Sequence, residues 1–288
     1  MRGIPGKTTL KSRIMEGVRL AVSAWKGFSA HQGTQAAAAI SYWGFLSLFS
    51  LLALAAGVAG LVFHGCPDIP AKILDYVRTN LPALSDTTEE ALRTTVNLGG
   101  VLGAIGLLGL LFSGTRLADS LQVWINHIWG GRRYGWIRTK SKSLVILGVV
   151  GLALALGASG HWFITSRAGG HPALGMITRV ISFLLSVGVQ CLGLVFLYYA
   201  SPEPKPRPGY VLPGALFSAF LLNPLQLLLA WYYSRLGHLS AAYGSLAGAA
   251  LLLLALYYGA LVVLLGAELN LAMLRRRERE SREYPGET

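Results

Sequence analysis

Six long apolar runs constrain this chain more than any other feature. They cover about residues 36–63, 97–115, 143–165, 176–200, 210–233 and 243–274. Each is near the ~20 residues that carry a helix across the hydrocarbon core of a bilayer. The runs are continuous and do not alternate, so the backbone must satisfy its polar groups within helices. The expected fold class is all-α, a polytopic membrane helix bundle with six transmembrane helices. Three regions follow: a basic cytoplasmic segment at 1–35, a membrane domain at 36–274 and a charged cytoplasmic tail at 275–288. The first 35 residues have no early apolar core, so no cleavable signal peptide is expected.

The net charge of +12 sits on a chain with only 13% charged residues, about half the ~25% of soluble domains. Position explains the excess better than a nucleic-acid partner does, and none is expected. Of the 25 Lys and Arg, nineteen fall in the N-terminal segment, the second loop, the proline-rich fourth loop and the tail. The other six fall in the intervening loops. Positive charge accumulates on the cytoplasmic side of inner membranes. The expected location is therefore a bacterial inner (plasma) membrane, multi-pass, with both termini in the cytoplasm.

Short amphipathic helices are expected in two loops. In the first outer loop Ile69, Ile73, Val77 and Leu81 recur every four residues until Pro82, and a second helical stretch covers Thr87 to Val96. In the second inner loop Leu117, Leu121, Trp124, Ile125 and Ile128 share one face, which reads as the second span continuing into the cytoplasmic interface. The run from Pro202 to Pro208 has proline at every second position and reads as an extended connector. Gly100, Gly103, Gly106 and Gly109, and then Gly244 and Gly248, offer small faces for close helix packing. Such faces also admit a homo-oligomer. Cys66 and Cys191 form no CxxC pair and read as unpaired.

Polar residues at membrane depth are the candidate functional groups. Glu268 lies seven residues before Arg275, about 10 Å along a helix. Asn270, Ser41, Tyr42, Arg116 and Asp119 fall at a similar depth, and Glu268 is expected to pair with Arg116. Gln190, Asn223 and Gln226 fall near the midplane, beside Pro224. Together these are the substrate-path candidates. His161, Arg167, His171 and Arg179 form an outer rim. No P-loop, GxGxxG, HExxH or GxSxG motif occurs, and cytoplasmic acids outside the tail are few. No catalytic residue, metal or cofactor is expected, and the chain does not read as an enzyme.

Three stretches carry a family resemblance. They are Ala36-Ala37-Ala38-Ala39-Ile40-Ser41-Tyr42 running on to Phe49, then Asn126-His127-Ile128-Trp129, then Tyr243-Gly244-Ser245-Leu246-Ala247-Gly248 leading to Gly266-Ala267-Glu268-Leu269-Asn270. Over about residues 15–275 the chain resembles the YihY, or virulence factor BrkB, family of inner-membrane proteins. Ser50 departs from that pattern, where the family usually has proline. The resemblance implies six spans with both termini inside. It also brings a ribonuclease BN label, which these residues do not support, and a suspected role in exporting envelope lipids or lipopolysaccharide precursors. The resulting expectation is a transporter or lipid translocase without its own ATPase, with membrane lipids as partners. The alternative is a non-catalytic scaffold for envelope-assembly proteins.

Overall fold

The computed structural model describes residues 10–65, 85–131, 143, 145, 146, 148, 149, 151–153, 172–203, 205–236 and 245–283. Regular structure among them is helical: α1 (Leu10–Ala30), α2 (Gly33–Gly65), α3 (Ser85–Ile128), α4 (Pro172–Ala200), α5 (Pro208–Leu236) and α6 (Ser245–Glu283). The described residues between 143 and 153 are helical too. Among the described residues, four stretches are long and apolar enough to cross a membrane: Gly33–Val62, Asn97–Ile128, Phe183–Ala200 and Ala249–Arg279. The outer-loop helix expected at 69–81 and most of the third span lie outside the described residues, as do the side chains of the outer rim.

Two compact units make up the chain, one formed by Met1–Ser41 with Ala118–Thr288, the other by Tyr42–Leu117. In the first, α5 packs against both α4 and α6, and α1 packs against α6. Tyr198 of α4 joins the three long helices. Its hydroxyl donates to Val263 O on α6 at 2.6 Å and lies 3.0 Å from Ser218 Oγ on α5. Ser218 in turn donates to Val262 O. Buried hydroxyls need such partners, because an unpaired one costs about 1–3 kcal/mol. Gly214 and Gly266 let α5 and α6 approach closely there, since a Cβ on Gly214 would meet the Gly266 carbonyl.

The second unit is the α2–α3 pair. A Cβ on Gly57 would strike the Gly103 backbone, and one on Gly106 would strike the backbone of Leu54. Gly99 lies against Gly60. The packed face is therefore Gly99, Gly103 and Gly106, continued by Ser113, which lies 3.4 Å from Ser50 Oγ. Gly100, expected on this face, looks onto open space. A repeat of three drifts around a helix of 3.6 residues per turn, whereas steps of four and three stay on one side. Ser50 donates to its own helix at Leu46 O, 2.9 Å, and α2 runs unbroken through it.

Two expectations about helix limits change. The stretch at Thr87–Val96 is no separate helix; it belongs to the 44 residues of α3, which continues to Ile128. Residues 1–35 are not merely a basic segment, because 21 of them form α1. The described residues between 201 and 207 are non-helical, and Pro208 opens α5, at the one helical turn where a missing N–H is no loss. That helix runs on through Pro213 and Pro224.

Candidate functional site

A corner between α1 and α2 builds the site. Leu20, Ala24 and Phe28 recur every four residues on α1; Ala24 and Phe28 are buried. The helix ends at Ala30, and Gln32 takes a left-handed conformation, φ 56°. Such a conformation costs a residue with a side chain roughly 1–2 kcal/mol. Gly33 follows because a Cβ there would meet the Phe28 ring. The corner is tied by His31 N donating to Gly27 O at 2.9 Å and Ala36 N to Gln32 O at 3.0 Å. These constraints aim His31 at α6.

There it meets Glu268. His31 Nδ1 and Glu268 Oε1 are 2.6 Å apart. Glu268 is only 2% exposed, while the His31 side chain is 23% exposed. A carboxylate so buried must be paired or neutral, since an isolated charge is costly away from water. Gly27 leaves the room: a Cβ there would collide with the Glu268 carboxyl. His127, at the end of α3, stands edge-on to His31 with ring centroids 5.6 Å apart, and Trp124 lies against His127. Arg275, two helical turns beyond Glu268 on α6, also lies within electrostatic reach of its carboxyl. At that level Glu16 of α1 reaches Arg276 of α6 at 3.4 Å. That exposed contact is worth under about 1 kcal/mol, but it fixes α1 antiparallel to α6.

The other candidates sort by what they touch. The expected Glu268–Arg116 pair is replaced by Glu268–His31. Arg116 is exposed and lies over the Phe112 ring at 5.7 Å. Tyr42 is largely exposed, with its ring edge-on to Trp43; both residues belong to the second unit. Ser41 donates to Ala38 O of its own helix. Asn270 is fully buried but does not join Glu268. Two residues along a helix turn about 200°, so Asn270 faces α5, accepting from Gly214 N at 2.7 Å and donating to Val211 O at 3.1 Å. Asp119 accepts from Ser143 Oγ at 2.5 Å.

Gln190 and Asn223, expected near the midplane, do meet. Asn223 Nδ2 donates to Gln190 Oε1 at 3.2 Å, Gln190 Nε2 to Ser186 Oγ at 3.3 Å, and Ser186 Oγ to Asn223 Oδ1 at 3.3 Å. The ring of three is closed and buried. It clamps α4 to α5. Gln226, expected beside them, is exposed and outside this ring.

His31 lies in the basic N-terminal segment, and sequence reasoning missed it. The signal was Leu20, Ala24 and Phe28 with Gly27, a small and weakly apolar face. Asn126 belongs to one of the stretches that carry the family resemblance. It accepts from Glu203 N at 2.9 Å and so ties the end of α3 to the proline-rich connector.

Comparison with known proteins agrees with the helical membrane architecture. Residues 24–288 match the family described as virulence factor BrkB. The ribonuclease-like protein YfkH of Bacillus subtilis (strain 168) is 24% identical over 266 residues, which is 90% of this chain and 96% of that protein. A UPF0761 membrane protein of Tolumonas auensis is 32% identical over 176 residues, 57% of this chain and 55% of its own length. The inner membrane protein YhjD of Escherichia coli (strain K12) is 22% identical over 262 residues, 82% and 75% of the two chains. No solved structure matches.

Proposed function

This chain belongs to the virulence factor BrkB family of membrane proteins, and from that premise we propose that it moves a lipid or envelope precursor across a bacterial inner membrane. In this reading it has six spans and both termini in the cytoplasm. It carries no ATPase and no catalytic centre of its own, binds no nucleic acid, and has membrane lipids as its partners. Assembly into homo-oligomers and contact with envelope-assembly proteins are compatible additions.

One observation carries the proposal: the buried Glu268–His31 pair. It lies about 10 Å inside the charged end of α6. Ionisable groups at membrane depth are costly and mark substrate or proton paths. The partner is an imidazole, not an arginine, so a proton can pass between the two groups and leave both neutral. A pair of that kind can open and close without moving a bare charge through apolar surroundings. An anionic head group arriving from the cytoplasm would compete for His31 and Arg275 and free Glu268. Asn270, Gln190 and Asn223 then act as clamps between helices, not as path residues. The ribonuclease-like name of one relative gains nothing from this pair, which offers no cluster of carboxylates.

The test is lipid movement in proteoliposomes carrying head-group-labelled lipids, read by dithionite bleaching. Wild type is expected to bleach inner-leaflet label faster than empty vesicles. Glu268→Gln, which keeps a hydrogen-bonding group but no exchangeable charge, is expected to be about tenfold slower, equivalent to roughly 1.4 kcal/mol in the barrier. Wild type indistinguishable from empty vesicles would reject general phospholipid translocation and favour the scaffold.

A further inference from the structure

Helix α1 carries a second apolar face, away from α6. Met15, Val18, Val22 and Trp25 are between 48% and 62% exposed. Their spacing of three and four places them in one stripe, roughly opposite Leu20, Ala24 and Phe28. Along one flank stand Arg19 and Lys26, both exposed. The one acid of α1, Glu16, is held by Arg276 of α6.

Depth decides what such a stripe faces. α1 runs antiparallel to α6, with Gly27 on Glu268 and Glu16 at Arg276. Residues 16–27 of α1 are therefore level with residues 268–276 of α6. That level holds the last apolar turns of a candidate span and its first charges. It is the membrane interface, where an apolar helix face lies against acyl chains while basic side chains reach the phosphates. Tryptophan favours the same level. The one acid a second copy of α1 would bring, Glu16, is already held by Arg276, whereas an anionic leaflet supplies free counter-charge to Arg19 and Lys26.

We propose that this face of α1 is seated in the cytoplasmic leaflet, with Arg19 and Lys26 on the head groups of anionic phospholipids. The leaflet then presses α1 onto α6 and holds His31 on Glu268. Leaflet composition thereby becomes a control on the pair. The choice of leaflet rests on the orientation proposed above; the lipid contact does not.

The test places a single environment-sensitive probe at Val22→Cys in a Cys66→Ala/Cys191→Ala background. A second protein carries it at Ser281→Cys, on the exposed end of α6. Both are reconstituted in phosphatidylcholine with and without phosphatidylglycerol, after gel filtration has shown matched monodisperse samples. Spin-labelled lipids with a shallow label quench from the bilayer, and iodide quenches from water. The probe at residue 22 is expected to be quenched severalfold more by lipid than by iodide, and the probe at residue 281 the reverse. Arg19→Glu with Lys26→Glu is expected to remove most of the lipid quenching in anionic vesicles. Iodide quenching at residue 22 equal to that at residue 281 overturns the proposal. So does an oxidation-dependent dimer through residue 22 without lipid quenching, which would make the stripe a seam between copies. Lipid quenching unaffected by head-group charge or by the double variant overturns the role of Arg19 and Lys26. Spin-labelled lipid is present in both leaflets, so the result does not depend on insertion direction or lipid movement. Failure here is therefore distinct from failure of the translocase reading.

Discussion

Gly57→Val is expected to pull α2 away from α3 and destabilise the protein by about 3 kcal/mol or more. The reason is what the new side chain would meet. A Cβ at residue 57 lands on the Gly103 backbone, and backbone cannot swing aside as a long side chain can. Overpacking in a well-packed interior costs roughly 1–3 kcal/mol, and here both facing surfaces are main chain. In lipid no hydrophobic drive compensates, because separated helices simply expose apolar surface to apolar tails. Gly100→Val is the control. Nothing lies within 4 Å of a Cβ there, so its cost should stay within about 0.5 kcal/mol. Unfolding of the purified proteins in a detergent series would measure both. Equal midpoints for the two variants would mean that α2 and α3 do not meet along the Gly99, Gly103 and Gly106 face.

The second large effect is expected at Gly27→Val. A side chain there meets the Glu268 carboxyl. That group sits at the end of a flexible chain, so it can move, but moving takes it from His31. Breaking a buried ion pair costs about 3–5 kcal/mol. His31 is partly exposed, which lowers the expectation to about 1–3 kcal/mol. Gly17→Val on the same helix has open space around it and separates this effect from the gain in helix propensity. Lipid translocation by Gly27→Val should fall to the level of Glu268→Gln, while Gly17→Val stays near wild type. A Gly27→Val protein that translocates normally would show that the pair's geometry is dispensable.

The sequence carried the membrane character and the helical class well, because continuous apolar runs of span length leave little choice of structure. It carried the family as well: the stretches around Ser41, Asn126 and Glu268 lie in a match that covers residues 24–288. The continuation of α3 to Ile128 was also legible, from Leu117, Leu121, Trp124, Ile125 and Ile128 on one face.

Azimuth was not legible. Counting residues from Arg275 gives the depth of Glu268 and Asn270, but not that one faces α1 and the other α5. The same limit put Gly100 on a packed face that Gly99 occupies. α1 was hidden for a different reason. Its buried side is small, Ala24 and Gly27 with Phe28, and the basic residues around it dominate the composition. The partner of Glu268 therefore came from a segment with no apolar run to announce a membrane-level role. Gln190 and Asn223 were expected at one level, and they do meet. Their pairing into a closed ring depends on Ser186, whose hydroxyl gives no signal in a sequence.

The most direct measurement is a double-mutant cycle on lipid translocation. Rates are compared for wild type, His31→Gln, Glu268→Gln and the double variant in matched proteoliposomes. If the pair works as one gate, each single change slows translocation about tenfold and the double is no slower than the worse single, a coupling near 1.4 kcal/mol. Independent losses that multiply in the double variant, or single variants with wild-type rates, would contradict a gate built on His31 and Glu268.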